Sequence, residues 1–377
     1  MSDMKILRAF KTELDLNNVQ KTACAHHAGA ARFAYNWGLV RKKEAFASGQ
    51  KTPTAIDLHH ELNALKKTEL SWMYEVSKCA PQEALRDLDN AFANFFRRVK
   101  EKRAGKNIQV GFPRFKSKKN GLGSFRLTGV IRVFDKTIQL PRLGVLRLKE
   151  RGYLPISGAH ILSATVSEHA RRWFVSLQVE MDIPDPKVAN KPVAGVDLGI
   201  HRMAQASDGV YFENPRALNH ALCKLKRLQR VVSRRSKGSA NRKKATKQLA
   251  KAHFRVANLR KDALHKATTI LTKAKSAIEL ENLNVNGMLK NHHLAQAIAD
   301  VGLYEFRRQM IYKGAWYGCT VLLADRFYPS TKRCSQCGQV KSVMGLAERE
   351  YHCEHCGLVI DRDLNAALNL EQLLHLS

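Results

Sequence analysis

The sequence predicts a multidomain α/β chain: a small β-barrel with an inserted helical bundle, then an α/β unit carrying a metal-stapled finger. Three observations point there. Short strand-like runs separated by turn residues fill one middle stretch at spacings suited to a barrel. Helical periodicity occupies the stretch before it and alternates with buried strands after it. Near the end, Cys334, Cys337, Cys353 and Cys356 form two Cys-x-x-Cys pairs with fifteen residues between them, the spacing of a zinc ribbon. At 377 residues and 44% hydrophobic content, two or three units can each bury a core.

Taken in order, residues 4–14 alternate enough for a first strand. From Asn17 the pattern turns helical, with Val19, Ala23, Ala30, Phe33, Ala34, Trp37 and Leu39 recurring at three- and four-residue steps up to Lys43. Pro53 interrupts it, and helices resume at Ala55–Leu65 and Pro81–Lys100. Pro81 suits a first helical turn, and Leu85, Leu88, Phe92, Phe95 and Phe96 make one apolar face. That face reads as bundle core in preference to a base-stacking platform. Gly111 to Gly121 is then a basic loop with two aromatics, offering Arg114, Lys116, Lys118 and Lys119. Strands follow at Ser124–Leu127, Val130–Phe134, Thr137–Leu140, Val145–Leu148, Ile161–Glu168 and Arg172–Glu180. Basic loops with interleaved aromatics on a barrel favour nucleic-acid binding over a merely solvated rim. The stretch from Pro184 to Pro192 is the best linker.

Beyond the linker, Val193 to His201 reads as a buried strand ending in Asp197, with a second strand at Met203–Ser207 and a turn at Asp208-Gly209. A long helical stretch from Pro215 to Thr272 has its tip at Ser236–Ser239. Between Lys224 and Lys261 it holds fifteen Lys and Arg and no acid, Arg242, Lys243, Lys244 and Lys247 among them. A charged helix face is usually just solvated, but without glutamate there is no i,i+4 pairing to offset the repulsion. A phosphate backbone is the simplest reason. Residues 277–284 read as a strand with Glu279 and Glu281 on one face, then come a helix (Leu303–Tyr317), a strand (Thr320–Leu323), the ribbon and a closing helix (Asn365–Leu374).

The chemistry rests on acids and thiols. Four thiolates close a tetrahedral site with no position open to substrate, so the zinc is structural, and the knuckle loop is too short for a core of its own, which leaves metal coordination to fold it. Asp197, a glutamate at 279 or 281, and Asp363 are carboxylates on separate elements of one unit. Hard divalent cations such as Mg²⁺ want such oxygen ligands, and a two-metal site can cleave phosphodiesters. The remaining cysteines, Cys24, Cys79, Cys223 and Cys319, read as small core residues of a reducing compartment. A formal charge of +31, from 64 Lys and Arg against 33 Asp and Glu, favours nucleic acid as partner over an acidic protein or a membrane. The N-terminus lacks signal-peptide features, and no apolar run is long enough to span a bilayer.

At these residues the chain resembles the TnpB (OrfB) family, encoded by insertion sequences and related to the compact type V CRISPR effectors. The resemblance covers essentially the whole length. It rests on residues 31–37 (Ala-Arg-Phe-Ala-Tyr-Asn-Trp), 111–116, 195–199 (Gly-Val-Asp-Leu-Gly), 258–266, 281–284 (Glu-Asn-Leu-Asn), 328–338 and 361–367 (Asp-Arg-Asp-Leu-Asn-Ala-Ala). It implies a wedge barrel in residues 1–15 and 106–186, a helical recognition domain in 16–105, a RuvC-like (RNase H-like) nuclease domain in 187–329 and 359–377, and a zinc ribbon in 330–358. The family's catalytic acids fall on Asp197, Glu281 and Asp363, with Asp361 as a helper. Asn282 stands where the family commonly has aspartate. Implied too are an RNA-guided DNA endonuclease with structural Zn²⁺ and catalytic Mg²⁺ (Mn²⁺ as alternative), a guide RNA from the transposon end, and double-stranded target DNA with a short flanking motif. A monomer in a prokaryotic cytoplasm, associated with the nucleoid, completes the expectation. The rival reading is a DNA-binding transposition accessory or guided regulator with an unused site; a DNA-joining transposase fits less well.

Overall fold

The computed structural model describes residues 3–118, 121–184, 191–345 and 348–376. They fall into two compact units, Asp3–Ile183 and Pro184–Ser377.

In the first unit, β1 (Asp3–Asp15) leads into three helices, α1 (Asn18–Ala47), α2 (Ala55–Leu65) and α3 (Cys79–Arg103). The first two start where the sequence supplies capping boxes. Asn17 and Gln20 exchange side-chain and backbone hydrogen bonds at the start of α1, as Thr54 and Asp57 do at α2. Helix α1 packs so closely on α3 that a Cβ at Gly38 would stand 2.7 Å from Leu85 Cδ2. The chain then forms β2 (Ser124–Leu127), β3 (Arg132–Val133), β4 (Thr137–Leu140), β5 (Gly144–Leu148), β6 (Ala159–His169) and β7 (Arg172–Pro184). With β1 these make one seven-stranded sheet in the order β2-β6-β7-β1-β5-β4-β3. The first strand of the chain thus lies at the sheet's centre, where Glu13 accepts from Arg172 of β7. One core joins helices and sheet, with Leu39, Leu58, Leu85 and Leu88 clustered with Leu127, Ile138, Leu146 and Val175.

Two expectations need correction here. The apolar face of α3 is bundle core at Leu85 and Leu88, but Phe96 is 56% exposed. The aromatic end is covered by a loop residue instead of a helix: Phe112 packs edge-on against Phe92 at 5.4 Å and Phe95 at 5.3 Å. Of the four cysteines outside the ribbon, Cys24, Cys79 and Cys319 are buried but Cys223 is exposed. Most of the linker, residues 185–190, lies outside the described residues.

The second unit opens with β8 (Ala194–Asp197), β9 (Arg202–Ala206) and β10 (Tyr211–Glu213), successive antiparallel strands. Strand β10 escaped the sequence reading because it has only three residues and follows the Asp208-Gly209 turn directly. Two helices, α4 (Ala217–Arg234) and α5 (Ala240–Ala274), form the basic hairpin; Cys223 lies off its apolar stripe of Ala217, Leu225 and Val256. After β11 (Ala277–Leu280) come α6 (Val285–Met288), α7 (Ala295–Val301), α8 (Leu303–Tyr317) and β12 (Thr320–Leu323). The sheet order is β10-β9-β8-β11-β12, with β11 parallel to both its neighbours. A two-stranded ribbon, β13 (Glu350–His352) and β14 (Val359–Asp361), feeds the last helix, α9 (Arg362–Leu376). Val196, Ile278, Leu280, Phe306 and Met310 anchor the core. No described helix is long and apolar enough to cross a membrane.

Candidate active site and metal centre

The register of two parallel strands builds half of the acidic site. Leu280 of β11 lies beside Val196 of β8, so Asp197 and Glu281, each one residue further on, stand side by side at the carboxyl ends of those strands. That is where open α/β sheets bind ligands. The third acid comes from α9. Gly195 lets this helix lie directly on β8: a Cβ there would stand 2.0 Å from Ala367 O and 2.3 Å from Glu371 N. Asp363, one turn before Ala367, is brought within electrostatic reach of the strand ends by the same packing.

The acids sense one another. Burial, then the negative charges of Glu281 and Asp363, raise the Asp197 pKa well above the usual carboxylate range, against the opposing pull of Arg362. Glu281 is pushed up to about 7 by burial and by Asp363. Glu279 is raised by burial alone and pairs in register with Gly195, inside the strand. This distinguishes the two glutamates that the sequence left open: Glu281 shares a field with Asp197 and Asp363, whereas Glu279 does not. Asp361 is differently employed. Its Oδ1 accepts the backbone N–H groups of Asp363 and Leu364 at 3.0 Å each, capping α9, while its Oδ2 accepts from Arg202 Nη1 at 3.2 Å. Arg362, which the sequence reading passed over, donates to Asp363 Oδ1 at 3.3 Å. A group of mutually repelling carboxylates, buried at Asp197 and half-buried at Glu281 and Asp363, all oxygen donors, fits a hard divalent cation such as Mg²⁺.

Among the described residues, the four cysteines are the group of metal-binding type whose ligand atoms all lie within 4.8 Å of one another. Asp197, Glu281 and Asp363 do not form such a group in this structure. Cys334 Sγ and Cys356 Sγ are 3.6 Å apart, as are those of Cys337 and Cys353. A Zn–S bond of ~2.3 Å gives a tetrahedron with edges of about 3.8 Å, whereas a disulfide would need ~2 Å. The thiols therefore fit a structural zinc. The two knuckles are built alike. Gly338 N donates to Cys334 O and Gly357 N to Cys353 O, both at 3.0 Å, and each glycine has positive φ, +77° and +73°. Backbone N–H groups of Cys356 and His355 hold the Cys353 thiol down at about 6, favouring the thiolate. Contrary to expectation the ribbon has a small core: Tyr351 is fully buried with Cys334 and Cys353, and its hydroxyl donates to Lys332 O at 3.1 Å. The closing β13–β14 pair makes room for it.

The candidate nucleic-acid contacts divide. Arg114 and Lys118 are exposed in the basic loop, and Lys119 lies outside the described residues. Lys116 is exposed too, but its ammonium sits 4.0 Å from the centre of the Tyr35 ring, and its backbone exchanges two hydrogen bonds with the Asn36 side chain. On α5, Lys243, Lys244 and Lys247 are exposed. Arg242 is a structural residue, since its Nη1 donates to Val232 O at 2.9 Å and Arg235 O at 2.7 Å and so closes the α4–α5 turn.

Comparison with known proteins follows the same outline. A family model described as "Probable transposase", of the OrfB type found in IS605 elements, matches residues 176–292, and one described as "Cas12f1-like, TNB domain" matches 304–370. A third, described as a helix-turn-helix domain, matches 4–51; here those residues are mainly β1 and the single helix α1. A Streptomyces pristinaespiralis protein named "Putative RNA-guided DNA endonuclease" is 36% identical over 97% of this chain and 89% of its own length. The Escherichia coli K12 protein of the same name with the suffix InsQ is 33% identical over 97% of this chain and 92% of its own. A solved mini-RNA-guided endonuclease, CRISPR-Cas_phi3, aligns over 98% of this chain and 92% of its own, but at 10% identity and a TM-score of 0.48 it carries no weight. On the motifs, the family models and full-length relatives at this level of identity, the chain belongs to the TnpB (OrfB) family of insertion-sequence proteins.

Proposed function

We propose that the protein is an RNA-guided DNA endonuclease whose hydrolytic centre is Asp197, Glu281 and Asp363. The observation that carries this reading is the side-by-side exit of Asp197 and Glu281 from paired parallel strands, with Asp363 electrostatically coupled to both. A sheet of three antiparallel strands continued by two parallel ones supports an RNase H-like nuclease domain. Together the three carboxylates would hold Mg²⁺, which when bound supplies an activated water and neutralises charge on the scissile phosphate. Asp197, the most buried, would bind deepest. Arg362 would orient Asp363 through its hydrogen bonds to Oδ1, and Asp361 would fix the first turn of α9 that carries it. The seven-stranded sheet and its helices would form the wedge and recognition domains, holding guide RNA and reading the flanking motif as a monomer. Exposed Lys243, Lys244 and Lys247 would line the path of a phosphate backbone.

A purely DNA-binding accessory would not need this acidic cluster, whose mutual repulsion destabilises the fold unless a cation offsets it. The test is cleavage of a plasmid bearing target and flanking motif, with cognate guide RNA and Mg²⁺. Asp197→Ala, Glu281→Ala and Asp363→Ala are each expected to lose more than ~100-fold in rate, since even groups behind metal ligands typically cost 10–100-fold. Binding of RNA and DNA should persist, and Glu279→Gln should cut nearly as well as the parent. If all three alanine variants cut normally, the nuclease reading fails. If Asp361→Asn is dead while Asp363→Ala cuts, the third acid is misplaced by two residues.

A further inference from the structure

The face of α9 turned away from β8 carries three polar side chains at i, i+4 and i+7, and all three reach into one zinc knuckle. Asn365 accepts the Ser335 N–H on Oδ1 at 2.9 Å and donates from Nδ2 to Arg333 O at 2.7 Å. Asn369 Nδ2 donates to Ser330 O at 2.8 Å and Arg333 O at 2.6 Å. Gln372 Nε2 donates to Ser335 O at 2.7 Å, and Tyr328 returns a hydrogen bond to Asn369 O at 3.1 Å. Arg333 and Ser335 flank Cys334, so these contacts fall on or beside backbone whose shape depends on that cysteine's coordination. Asn365 and Asn369 are both fully buried. Asn369 leaves its Oδ1 without a partner among the described residues, and a buried unpaired oxygen is a cost that ordinary packing would avoid.

We infer that Asn365, Asn369 and Gln372 are positioning residues that couple zinc occupancy of the ribbon to the placement of Asp363, making the ribbon a strut for the acidic centre. The consequence for activity rests on the nuclease reading; the coupling itself does not. Helix α9 is gripped on one side by its contact with β8 at Gly195 and on the other by the knuckle. Asp363 shares the helix's first turn with Asn365, two residues away. When the thiolates hold a metal, the carbonyls of Arg333 and Ser335 are fixed acceptors. When they do not, Asn365 and Asn369 lose partners that water cannot replace inside the fold. Coupling of this kind is reciprocal: if the knuckle steadies α9, then α9 must tighten the knuckle's hold on zinc by the same factor.

The experiment uses the full chain. Asn365→Ala removes two hydrogen bonds, and Gln372→Met, a shape-conserving change at a partly exposed position, removes one with little risk to folding. Zinc affinity is measured by competition with a chromogenic chelator, and amide hydrogen exchange of residues 364–372 is followed with and without zinc. Single-turnover cleavage is then measured against Mg²⁺ concentration at saturating guide and target. Zinc affinity is expected to weaken roughly tenfold in Asn365→Ala, the lower end for groups that hold metal ligands in place, and by less in Gln372→Met. Stripping zinc from the parent should speed exchange in α9, and the variants should exchange faster even when loaded. Their cleavage should fall and need more Mg²⁺, with target affinity unchanged. Unchanged zinc affinity and exchange in both variants would overturn the coupling. Altered affinity and exchange with a parental Mg²⁺ dependence would overturn the link to Asp363. The nuclease reading stands or falls separately, on whether Asp363→Ala cuts.

Discussion

Asp361 and Asp363 are two residues apart in one motif, yet they do different work. The oxygens of Asp361 cap α9 and accept from Arg202, and its charge reaches Asp197 alone, whereas Asp363 adds charge to both Asp197 and Glu281. Those two acids give a stability prediction with a definite sign. Both pKa values are raised, so the metal-free native state binds protons that the unfolded chain releases. Its stability is full below the ordinary carboxylate value and is lost as pH rises through the folded one, for Glu281 from 4.5 to about 7. Glu281→Gln removes that loss. In Mg²⁺-free buffer at pH 8, with zinc left in the ribbon, the variant is expected to melt a few degrees above the parent, at roughly 2–4 °C per kcal/mol for a unit of this size. The gap should close by pH 4, where the parent's carboxyl is protonated too; a gap that does not depend on pH would refute the assignment. The candidate residue types were legible here because an aspartate after an apolar strand and the motif at 361–367 are visible as text. The pairing of Leu280 with Val196 is not, and neither is the close approach at Gly195 that sets the depth of α9.

The basic hairpin makes the case at the scale of elements. The fifteen cations from Lys224 to Lys261, with no acid among them, look uniform in the sequence, but the structure sorts them. Arg242 turns back to hold the α4–α5 turn, while Lys243, Lys244 and Lys247 face outward. Replacing the last three with alanine is expected to weaken nucleic-acid binding alike for all sequences. It should also flatten the log-log salt dependence by ~0.7–0.9 for each phosphate left unneutralised. Arg242→Ala should instead loosen the hairpin and leave the slope nearly intact. An unchanged slope in the triple variant would make this face merely solvated. Long or well-punctuated elements were legible residue for residue: Ala55–Leu65, Leu303–Tyr317, Ser124–Leu127, Thr137–Leu140 and Thr320–Leu323 stand as read. Five other short pieces, β10, α6, α7, β13 and β14, were not, because their residues carry no period of their own; tertiary pairing makes them. Helix α3 shows the other limit. Its apolar stripe is continuous in sequence, but which end is covered depends on where the loop bearing Phe112 comes back.

At the scale of the molecule, each unit has a core of its own, one built from Leu14 to Val179 and the other from Val196 to Cys319. The ribbon adds only a cluster around Tyr351, fastened to α9 of the second unit. Zinc should therefore matter to one unit's stability and not to the other's. A structural zinc site contributes ~10–16 kcal/mol of apparent binding energy, and part of it reaches the second unit through Asn365, Asn369 and Gln372. Chelation, or Cys334→Ser, is expected to lower the melting transition of Pro184–Ser377 by ~10 °C or more at 2–4 °C per kcal/mol. The transition of Asp3–Ile183 should stay where it was. Differential scanning calorimetry of the full chain, with hydrogen exchange assigning each transition to its unit, checks this. If both transitions fell together, the two cores would be energetically one. If neither moved while zinc was shown to be gone, the ribbon would be an ornament on α9 and the strut would have nothing to carry.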